Sequence, residues 1–366
     1  MTKKPEEKTK QLLNIGKDQM DLLERLCNAT AVSGDEQEVR QIVLDEITPI
    51  ADQVKVDAMG NVLATKLGHG ENRVRVMLAE HMDEIGLMIV KKLEDNLFEF
   101  VRVGGIDERQ LPGKAVLVGR DHLPGVIGAK PIHMTTAQEL KNKIDASDLR
   151  IDLGLEIGEK VKPGDRATFA TRFEVLGPSI KAKALDNRFG VAILIALLKN
   201  APENIDLLAA FTVQEEVGLR GARVAAYAFD PDMAIAVDST PANDLPPWDD
   251  EDENVQYNTR LDAGPAIYVM DRMTIADRRL VNLLCAAAEE AGIPYQLRQP
   301  GGGGTDAGVI HRTRSGIPST SVSVPARYAH TAASIARMSD WENTLRLLHA
   351  ALSKITPDLL ANERRD

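Results

Sequence analysis

The chain has 366 residues, 43% of them hydrophobic, and a formal net charge of −11 at pH 7. The length predicts two domains or one domain with a large insertion, and the apolar content is sufficient for a sizeable core. The acidic balance argues against a nucleic-acid partner, and the charged N-terminus argues against a signal peptide. The sequence contains no apolar run long enough for a membrane span, and its two isolated cysteines do not indicate a disulfide framework. We therefore expect a cytoplasmic protein that favours cationic ligands.

The N-terminal part of the chain has the pattern of predicted helices and strands that is typical of an α/β domain. Residues 1–19 are polar and predict a mobile lead-in. Apolar residues at helical spacing predict helices over residues 20–29 and 36–47. Residues 54–62 predict a hairpin around a glycine, and residues 73–79 predict a buried strand.

The pattern of predicted secondary structure changes between residues 88 and 170. Short alternating apolar runs are broken there by glycine and proline, and helix signals are nearly absent. This pattern predicts a small β-barrel-like domain inserted into a larger one. The catalytic domain would then be discontinuous, comprising residues 1–87 and 171–366.

Alternating strands and helices return after residue 171. Strands are predicted over residues 180–185, 207–213, 233–237, 266–270, 295–298 and 320–324, and helices over residues 188–199, 276–291 and 341–354. This alternation predicts an α/β fold in which a doubly wound mixed sheet carries helices on both faces. A loop rich in proline and acidic residues, 244–254, interrupts the series.

Histidines and carboxylates follow several of these strands. They are His81 with Asp83, Glu215 with Glu216, Asp238, and His330, while Asp186 lies between a strand and a helix. Ligands bind beyond the carboxyl ends of the strands in such a sheet, so these residues are expected to converge. Imidazole with carboxylate suits Zn²⁺, with Co²⁺ or Mn²⁺ as substitutes. The set is too large for one ion and suits two, about 3.5–4 Å apart, that share a carboxylate.

Each of these residues also has a purely structural interpretation. His81 can be a core histidine, Asp186 a helix N-cap, and Asp238 a turn residue. The adjacent glutamates can form a solvated turn, and His330 can lie on the surface. Only their joint occurrence at comparable strand ends favours the metal site.

Six sequence blocks resemble, in order, those of the TET-type (tetrahedral) dinuclear metallo-aminopeptidase family. This family includes glutamyl and deblocking aminopeptidases and some proteins labelled endoglucanases. The resemblance covers most of the chain from about Met20 onward. The blocks are Ala79-Glu-His-Met-Asp-Glu-Ile-Gly86, Ala184-Leu-Asp-Asn-Arg-Phe-Gly190, Val213-Gln-Glu-Glu-Val-Gly218, Val237-Asp-Ser239, Gly303-Gly-Thr-Asp-Ala307 and Pro325-Ala-Arg-Tyr-Ala-His330.

The resemblance implies a role for each candidate residue. It implies that Asp186 bridges two ions, that His81 and Asp238 are the other ligands of one ion, and that Glu216 and His330 are the other ligands of the second. It also implies that Asp83 orients His81 and that Glu215 is the general base. The two ions would polarise the scissile carbonyl and lower the pKa of a bridging water. The same resemblance implies that the barrel is a dimerisation module and that dimers assemble into a tetrahedral dodecamer.

Two further features bear on the resemblance. The glycine run before the last predicted strand lacks a phosphate-loop signature, and we predict that Gly303, Gly304, Thr305 and Asp306 bind substrate through close backbone approach. After His330 the chain reads Thr-Ala-Ala-Ser, where the family more often carries a proline and then a glutamate.

The expected activity is metal-dependent exo-cleavage of short peptides that have a free N-terminus. A related dimetal amidase, such as a deacylase or carboxypeptidase, and a non-catalytic metal-binding assembly protein are the alternatives. A glycosidase is disfavoured, because that chemistry uses two metal-free carboxylates flanking a sugar bond.

Overall fold

The computed structural model describes residues 13–154, 157–246, 258–298 and 300–361. The first 12 residues of the predicted lead-in and residues 247–254 of the acidic loop lie outside the described residues.

The described helices and strands follow the predicted alternation. The helices are α1 (Lys17–Asn28), α2 (Gln37–Ile47), α3 (Leu185–Lys199), α4 (Arg220–Phe229), α5 (Arg278–Ala291), α6 (Ala307–Ile310), α7 (Met338–Leu352) and α8 (Asp358–Ala361). The strands before α3 are β1 (Gln53–Val56), β2 (Val62–Lys66), β3 (Val74–His81), β4 (Gly86–Lys92), β5 (Leu97–Val103), β6 (Ala115–Val118), β7 (Leu123–Gly128), β8 (Arg150–Asp152), β9 (Arg166–Phe169), β10 (Glu174–Leu176) and β11 (Ser179–Ala182). Those after it are β12 (Ile205–Thr212), β13 (Met233–Pro241), β14 (Ala266–Tyr268), β15 (Gln296–Arg298), β16 (Ser319–Arg327) and β17 (Ser334–Arg337).

Eleven of the described strands form one mixed sheet. Its order is β1-β2-β12-β3-β13-β16-β17-β11-β10, with β14 paired to β16 and β15 paired to β14. The four central strands β12, β3, β13 and β16 are parallel, and the flanking pairs of the main order are antiparallel. Because parallel strands end at one edge, residues at their carboxyl ends meet there. The doubly wound mixed sheet is confirmed.

The alternation of side chains along the central strands explains why helices cover both faces. In β3, Val76 and Leu78 pack into the core beneath α1, α2, α3, α5 and α7. Met77 and Ala79 point the other way and pack with α4 and α6. Apart from its Asp186 and C-terminal residues, α3 is buried all round, as expected of a helix apolar on every side. None of the helices in the described part of the chain combines the length and apolarity that a membrane crossing requires.

A closed barrel interrupts the main domain immediately after β3. Strands β4 to β9 close in the order β4-β5-β8-β7-β6-β9, and every neighbouring pair is antiparallel. The barrel has its own core, with Phe98, Phe100, Ile127 and Ile151 buried in it. The chain thus passes directly from the candidate ligand His81 into the barrel.

Element boundaries differ from the predicted ones by up to a few residues, and two of these differences change where candidate site residues lie. Strand β13 does not end before Asp238 but continues to Pro241, because β16 runs beside it and pairs Asp238 with Ser323. Helix α3 begins at Leu185, so that Asp186 lies within its irregular first turn.

Candidate metal centre

The carboxyl edge of the sheet gathers all the residues predicted as metal ligands. Three elements and two turns supply them, together with the predicted base Glu215. His81 ends β3, Asp186 lies in the first turn of α3, Glu215 and Glu216 lie between β12 and α4, Asp238 lies in β13, and His330 lies between β16 and β17.

Two groups of three ligands share Asp186. The His81 Nε2 atom lies 3.2 Å from Asp186 Oδ1 and 3.6 Å from Asp238 Oδ1. The His330 Nε2 atom lies 3.6 Å from Asp186 Oδ2 and 3.6 Å from Glu216 Oε2. Within each group the ligand atoms are all within 4.8 Å of one another. One carboxylate therefore presents a different oxygen to each histidine.

The spacing of these atoms fits divalent cations. Ligands about 2.05 Å from a tetrahedral ion are separated by about 3.3 Å, close to the distances observed around Asp186. Histidine nitrogen with carboxylate oxygen is a donor set that suits Zn²⁺, Co²⁺ or Mn²⁺. The described residues fit two such ions, one on each side of Asp186.

The electrostatics of the centre also favour cations. Burial, reinforced by neighbouring carboxylates, raises the pKa of Glu216 to about 8 and that of Asp238 to about 6, and raises the pKa of Glu215 well above its ordinary value. Burial alone would lower the pKa of both histidines. The surrounding carboxylates together outweigh it, Glu215, Asp186 and Asp238 at His81 and Glu216 and Asp186 at His330, so both pKa values are raised. The protein has thus gathered more buried negative charge than its own side chains compensate, and a bound cation would relieve it.

Asp83 organises the residues around His81. Its Oδ1 accepts a hydrogen bond from the Glu215 N–H (2.9 Å) and its Oδ2 accepts one from the Glu216 N–H (3.2 Å). The His81 Nδ1 atom lies 3.1 Å from the Asp83 carbonyl oxygen and 3.5 Å from Oδ1. When Nδ1 donates to these oxygens, Nε2 is left as the ligand atom. The orienting role that the sequence resemblance implied for Asp83 stays a prediction, and these contacts support it.

The turns that carry these residues have left-handed backbone conformations. Ala184, Gln214, Tyr328 and His330 have φ values of 52°, 57°, 61° and 58°. Non-glycine residues adopt this region infrequently, and such strain clusters at functional sites. The peptide bond between Asp186 and Asn187 is cis.

Buried charges hold the loop that follows His81. The Arg188 guanidinium donates to the carbonyl oxygens of Met82 and, at 3.4 Å, of Asp83. The Lys183 Nζ atom donates to both oxygens of Glu84, at 2.8 and 2.7 Å. All three charged groups are buried. Sequence reasoning missed them, although an arginine in an otherwise apolar helix is a signal that could have indicated Arg188.

The barrel contributes directly to the second half of the centre. The Gly105 carbonyl oxygen accepts a hydrogen bond from His330 Nδ1 at 2.9 Å, which leaves Nε2 facing Asp186 and Glu216. At Gly104, φ is +87° and a Cβ atom would lie 3.4 Å from the Glu216 side chain. The sequence does not predict a function for this glycine pair at the end of β5, because its contacts join residues more than 100 positions apart.

The four predicted substrate-binding residues divide into two groups. Gly303 and Gly304 line an open cavity of about 550 Å³ over the centre. Thr305 and Asp306 are buried behind that wall. The Thr305 hydroxyl bonds to a serine hydroxyl of β16 at 2.7 Å, and Asp306 accepts a hydrogen bond from Thr212 at 2.6 Å.

Other residues of the cavity wall carry no signal in the sequence. Tyr268, Arg272 and Arg298 line the same cavity. The Arg298 guanidinium lies over the Tyr268 ring, 4.4 Å from its centroid. Burial raises the pKa of Tyr268 to about 12, so its hydroxyl stays protonated at neutral pH.

Comparison with known proteins gives matches over most of the chain. Residues 60–347 match the family described as M42 glutamyl aminopeptidase. An aminopeptidase of Acetivibrio thermocellus, named as putative, is 38% identical over 92% of this chain and 98% of its own length. The glutamyl aminopeptidase of Lactococcus lactis is 30% identical (93% and 98% covered), and the lysyl aminopeptidase of Pyrococcus furiosus is 31% identical (92% and 97% covered).

Solved structures show the same arrangement of the chain. An aminopeptidase from Desulfurococcus kamchatkensis superposes with a TM-score of 0.87 at 34% identity, covering 93% of this chain and 96% of that one. The TET1 peptidase of Pyrococcus horikoshii, which can assemble into a tetrahedron or a large octahedral shell, superposes with a TM-score of 0.79 at 34% identity, covering 92% and 100%. The resemblance identified in the sequence is confirmed.

Proposed function

Because the chain belongs to the M42 glutamyl aminopeptidase family and is thus an aminopeptidase, we propose that it removes residues from the free N-terminus of short peptides with two divalent metal ions per subunit. The observation that carries the proposal is the position of Asp186. Its two oxygens face His81 and His330 separately, each within a complete group of three ligands.

The proposed ligand sets follow from these distances. His81 and Asp238 hold one ion, Glu216 and His330 hold the other, and Asp186 is shared. When bound, the ions would supply Lewis acidity toward the scissile carbonyl and lower the pKa of the attacking water. Zn²⁺ is the proposed native metal, because the donors are nitrogen and oxygen atoms in groups of three that leave a position open.

Glu215 is the proposed general base. It lies in the same cavity but belongs to neither group of ligands, so its carboxylate remains available for proton transfer. Its pKa is raised mainly by burial, and cations beside it would favour the ionised form. Glu215 takes the proton of the attacking water and delivers it to the leaving amine.

The carboxylates of the cavity account for cleavage at a free N-terminus. Glu215, Glu216, Asp186 and Asp238 all line it. Two bound divalent ions would largely offset their charges, but Glu215 and any carboxylate oxygen that the ions leave free can accept hydrogen bonds from a peptide's α-amine, and an acetylated N-terminus has no such amine. The substrate would therefore be anchored by its first residue.

We further propose that the protein self-associates through the barrel. The support is twofold: the similar TET1 peptidase assembles into closed shells, and the barrel carries exposed apolar side chains at Ile132, Met134 and Leu140. Large apolar side chains gathered on one surface are typical of protein–protein contacts.

A metal-loading assay tests the proposed activity. Chelator-stripped protein is loaded with Zn²⁺, Co²⁺ or Mn²⁺, its metal content is measured, and it is assayed on aminoacyl anilides and their N-acetylated counterparts. We expect about two ions per chain and cleavage of the free-amine substrates alone. Preferential cleavage of the acetylated series would instead identify a deacylase-type amidase, and a loaded protein without turnover would be a non-catalytic metal-binding protein.

A further inference from the structure

Ser33 lies beneath the metal centre, on a segment outside the sequence blocks that indicated the site. It belongs to the connection between α1 and α2 and is 3% exposed. This connection runs beside the loop that follows His81. Val32 forms an isolated β-bridge with Glu84, and the Ser33 N–H donates to the Glu84 carbonyl oxygen at 3.3 Å. The backbone of Ser33 is thus fixed against the loop that carries Asp83.

The Ser33 hydroxyl donates to Asp83 Oδ2 at 2.5 Å. This length is typical of a hydroxyl bound to an ionised carboxylate, one of the stronger classes of hydrogen bond. Asp83 is fully buried, so water cannot replace a lost donor without entering the core. Among the described residues, Ser33 is the one that supplies a side-chain hydroxyl to this carboxylate.

The barrel holds Ser33 from the opposite side. Arg166, the first residue of β9, donates from Nε to the Ser33 carbonyl oxygen at 3.1 Å. A Cβ atom at Gly34 would lie 2.9 Å from the same guanidinium. The segment therefore sits between the barrel and the candidate metal centre, and Ser33 is held by Arg166 at its carbonyl oxygen while its hydroxyl bonds to Asp83.

The direction of the Asp83 carboxylate determines three positions in the centre. Its oxygens accept the backbone N–H groups of Glu215 and Glu216, and Oδ1 faces His81 Nδ1. If the carboxylate rotated, the proposed base, one ligand of the second ion and one ligand of the first ion would all shift.

We propose that Ser33 is a positioning residue, whose hydroxyl sets the orientation of Asp83 and, through it, the alignment of the proposed base and metal ligands. The inference rests on the proposed function for its kinetic consequence but not for its effect on metal binding. Partners that orient metal ligands typically affect metal affinity or activity by about 10–100-fold.

The test compares Ser33→Ala, Ser33→Thr and the control Ser319→Ala. Ser319 is equally buried at 3% and donates its hydroxyl to a backbone carbonyl oxygen at 2.8 Å, but it lies at the opposite end of β16 from the centre. Chelator-stripped proteins are titrated with Zn²⁺ by calorimetry, kcat and KM are measured at saturating Zn²⁺, and metal-free melting temperatures are recorded.

We expect Ser33→Ala to bind Zn²⁺ about 10-fold more weakly. Its kcat should fall about 10-fold or more with KM within about 2-fold, because the alignment of the base changes while the side of the cavity formed by Gly303, Gly304 and Tyr268 does not. Ser33→Thr keeps a hydroxyl and should recover most of both losses, and Ser319→Ala should match the wild type. Zn²⁺ affinity and kcat within 2-fold of the wild type in Ser33→Ala, or equal losses in the threonine and alanine variants, would overturn the proposal.

A second variant tests the same positioning contacts from the barrel. Arg166→Gln should weaken Zn²⁺ binding in the same direction, and it remains informative if Ser33→Ala does not fold; in that case unchanged affinity in Arg166→Gln would overturn the proposal. The possible outcomes distinguish failure of the proposed function from failure of the positioning role of Ser33. A wild type that binds Zn²⁺ but cleaves no peptide contradicts the proposed function, while the calorimetric comparison still decides the role of Ser33.

Discussion

Asp186 shows how one side chain organises the two halves of the centre. Burial opposes its ionisation, but the hydrogen bond and charge of His81 and the charge of His330 hold its pKa below the ordinary value. Its two oxygens lie toward different histidines. Its ionised form is the one that suits a bridging ligand.

Replacement of Asp186 should therefore affect both ions together. In Asp186→Ala we expect less than one ion per chain after Zn²⁺ loading, because each group of three ligands loses a member. Asp238→Ala is the matched comparison, since it removes a carboxylate from the His81 group alone, and it should retain the ion held by Glu216 and His330. Metal content measured on dialysed protein checks both. Loss of a single ion in Asp186→Ala would contradict the bridging role.

Glu215 and Glu216 are adjacent, yet the structure supports different roles for them. Glu216 lies 3.6 Å from His330 within a group of ligands, whereas Glu215 belongs to neither group. We expect Glu215→Gln to retain its metal and to lose about 10²–10⁴-fold in kcat, because the amide cannot accept a proton. Steady-state kinetics with metal analysis of the same sample measures this, and Glu203→Gln at an exposed position is the control. Near-normal turnover would exclude Glu215 as the base.

At the scale of elements, the insertion of the barrel places its strands beside the site rather than at a distance from it. The barrel begins five residues after His81, and the turn after β5 returns to contact His330. The barrel therefore contributes to the candidate metal centre and is also the proposed surface for assembly.

The turn after β5 should control the second ion selectively. A Cβ atom at Gly105 would lie 3.1 Å from His330 Nδ1, so Gly105→Ala should displace the ring. We expect weaker binding of one of the two ions by about 10-fold, measured by calorimetry, with the other unchanged. Gly128→Ala is the control, because a Cβ atom there meets nothing closer than 3.8 Å in the same barrel. Equal weakening of both ions would show that the turn does not act through His330.

Helix α2 meets the barrel through Glu38, and this contact should make stability depend on pH. Burial opposes ionisation of Glu38, but the N–H and hydroxyl of Thr30 and the side chain of His122 hold its pKa below the ordinary value. A carboxyl group whose pKa is lowered by folding stabilises the native state above its unfolded pKa, and that contribution is lost as the pH falls through the folded pKa.

Glu38→Gln should therefore be less stable than the wild type at pH 7, by about 1 kcal/mol or less for this half-exposed contact. The difference should shrink as the pH falls below about 4.3, the ordinary glutamate value. Urea unfolding of both proteins at pH 7, 4 and 3 measures the trend. Glu71→Gln, on an exposed turn, controls for the loss of one negative charge. A difference that grows toward acidic pH would contradict this assignment.

At the scale of the whole molecule, the mass of the particle in solution tests whether the chain forms the proposed shell. Twelve copies of the 39.9 kDa chain total about 480 kDa, which light scattering after gel filtration would detect. If the barrel is the dimerisation module, the combined variant Ile132→Glu and Met134→Glu should reduce the mass, because it places charges on side chains that are 75% and 62% exposed in the isolated subunit. Leu67→Glu, outside the barrel, is the control. An unchanged mass in the combined variant would place the interface elsewhere.

The sequence alone determined the alternation of strands and helices, the β-rich insertion and the set of histidines and carboxylates. These features depend on local periodicity and residue chemistry, which short segments such as Val74–His81 and Glu215-Glu216 already carry. It did not reveal which oxygen of Asp186 faces which histidine, nor the roles of Gly105, Arg188 and Ser33 around the centre. Only the tertiary structure decided these, because hydrogen bonds act over about 3 Å between residues that are from about 50 to more than 200 positions apart in the chain.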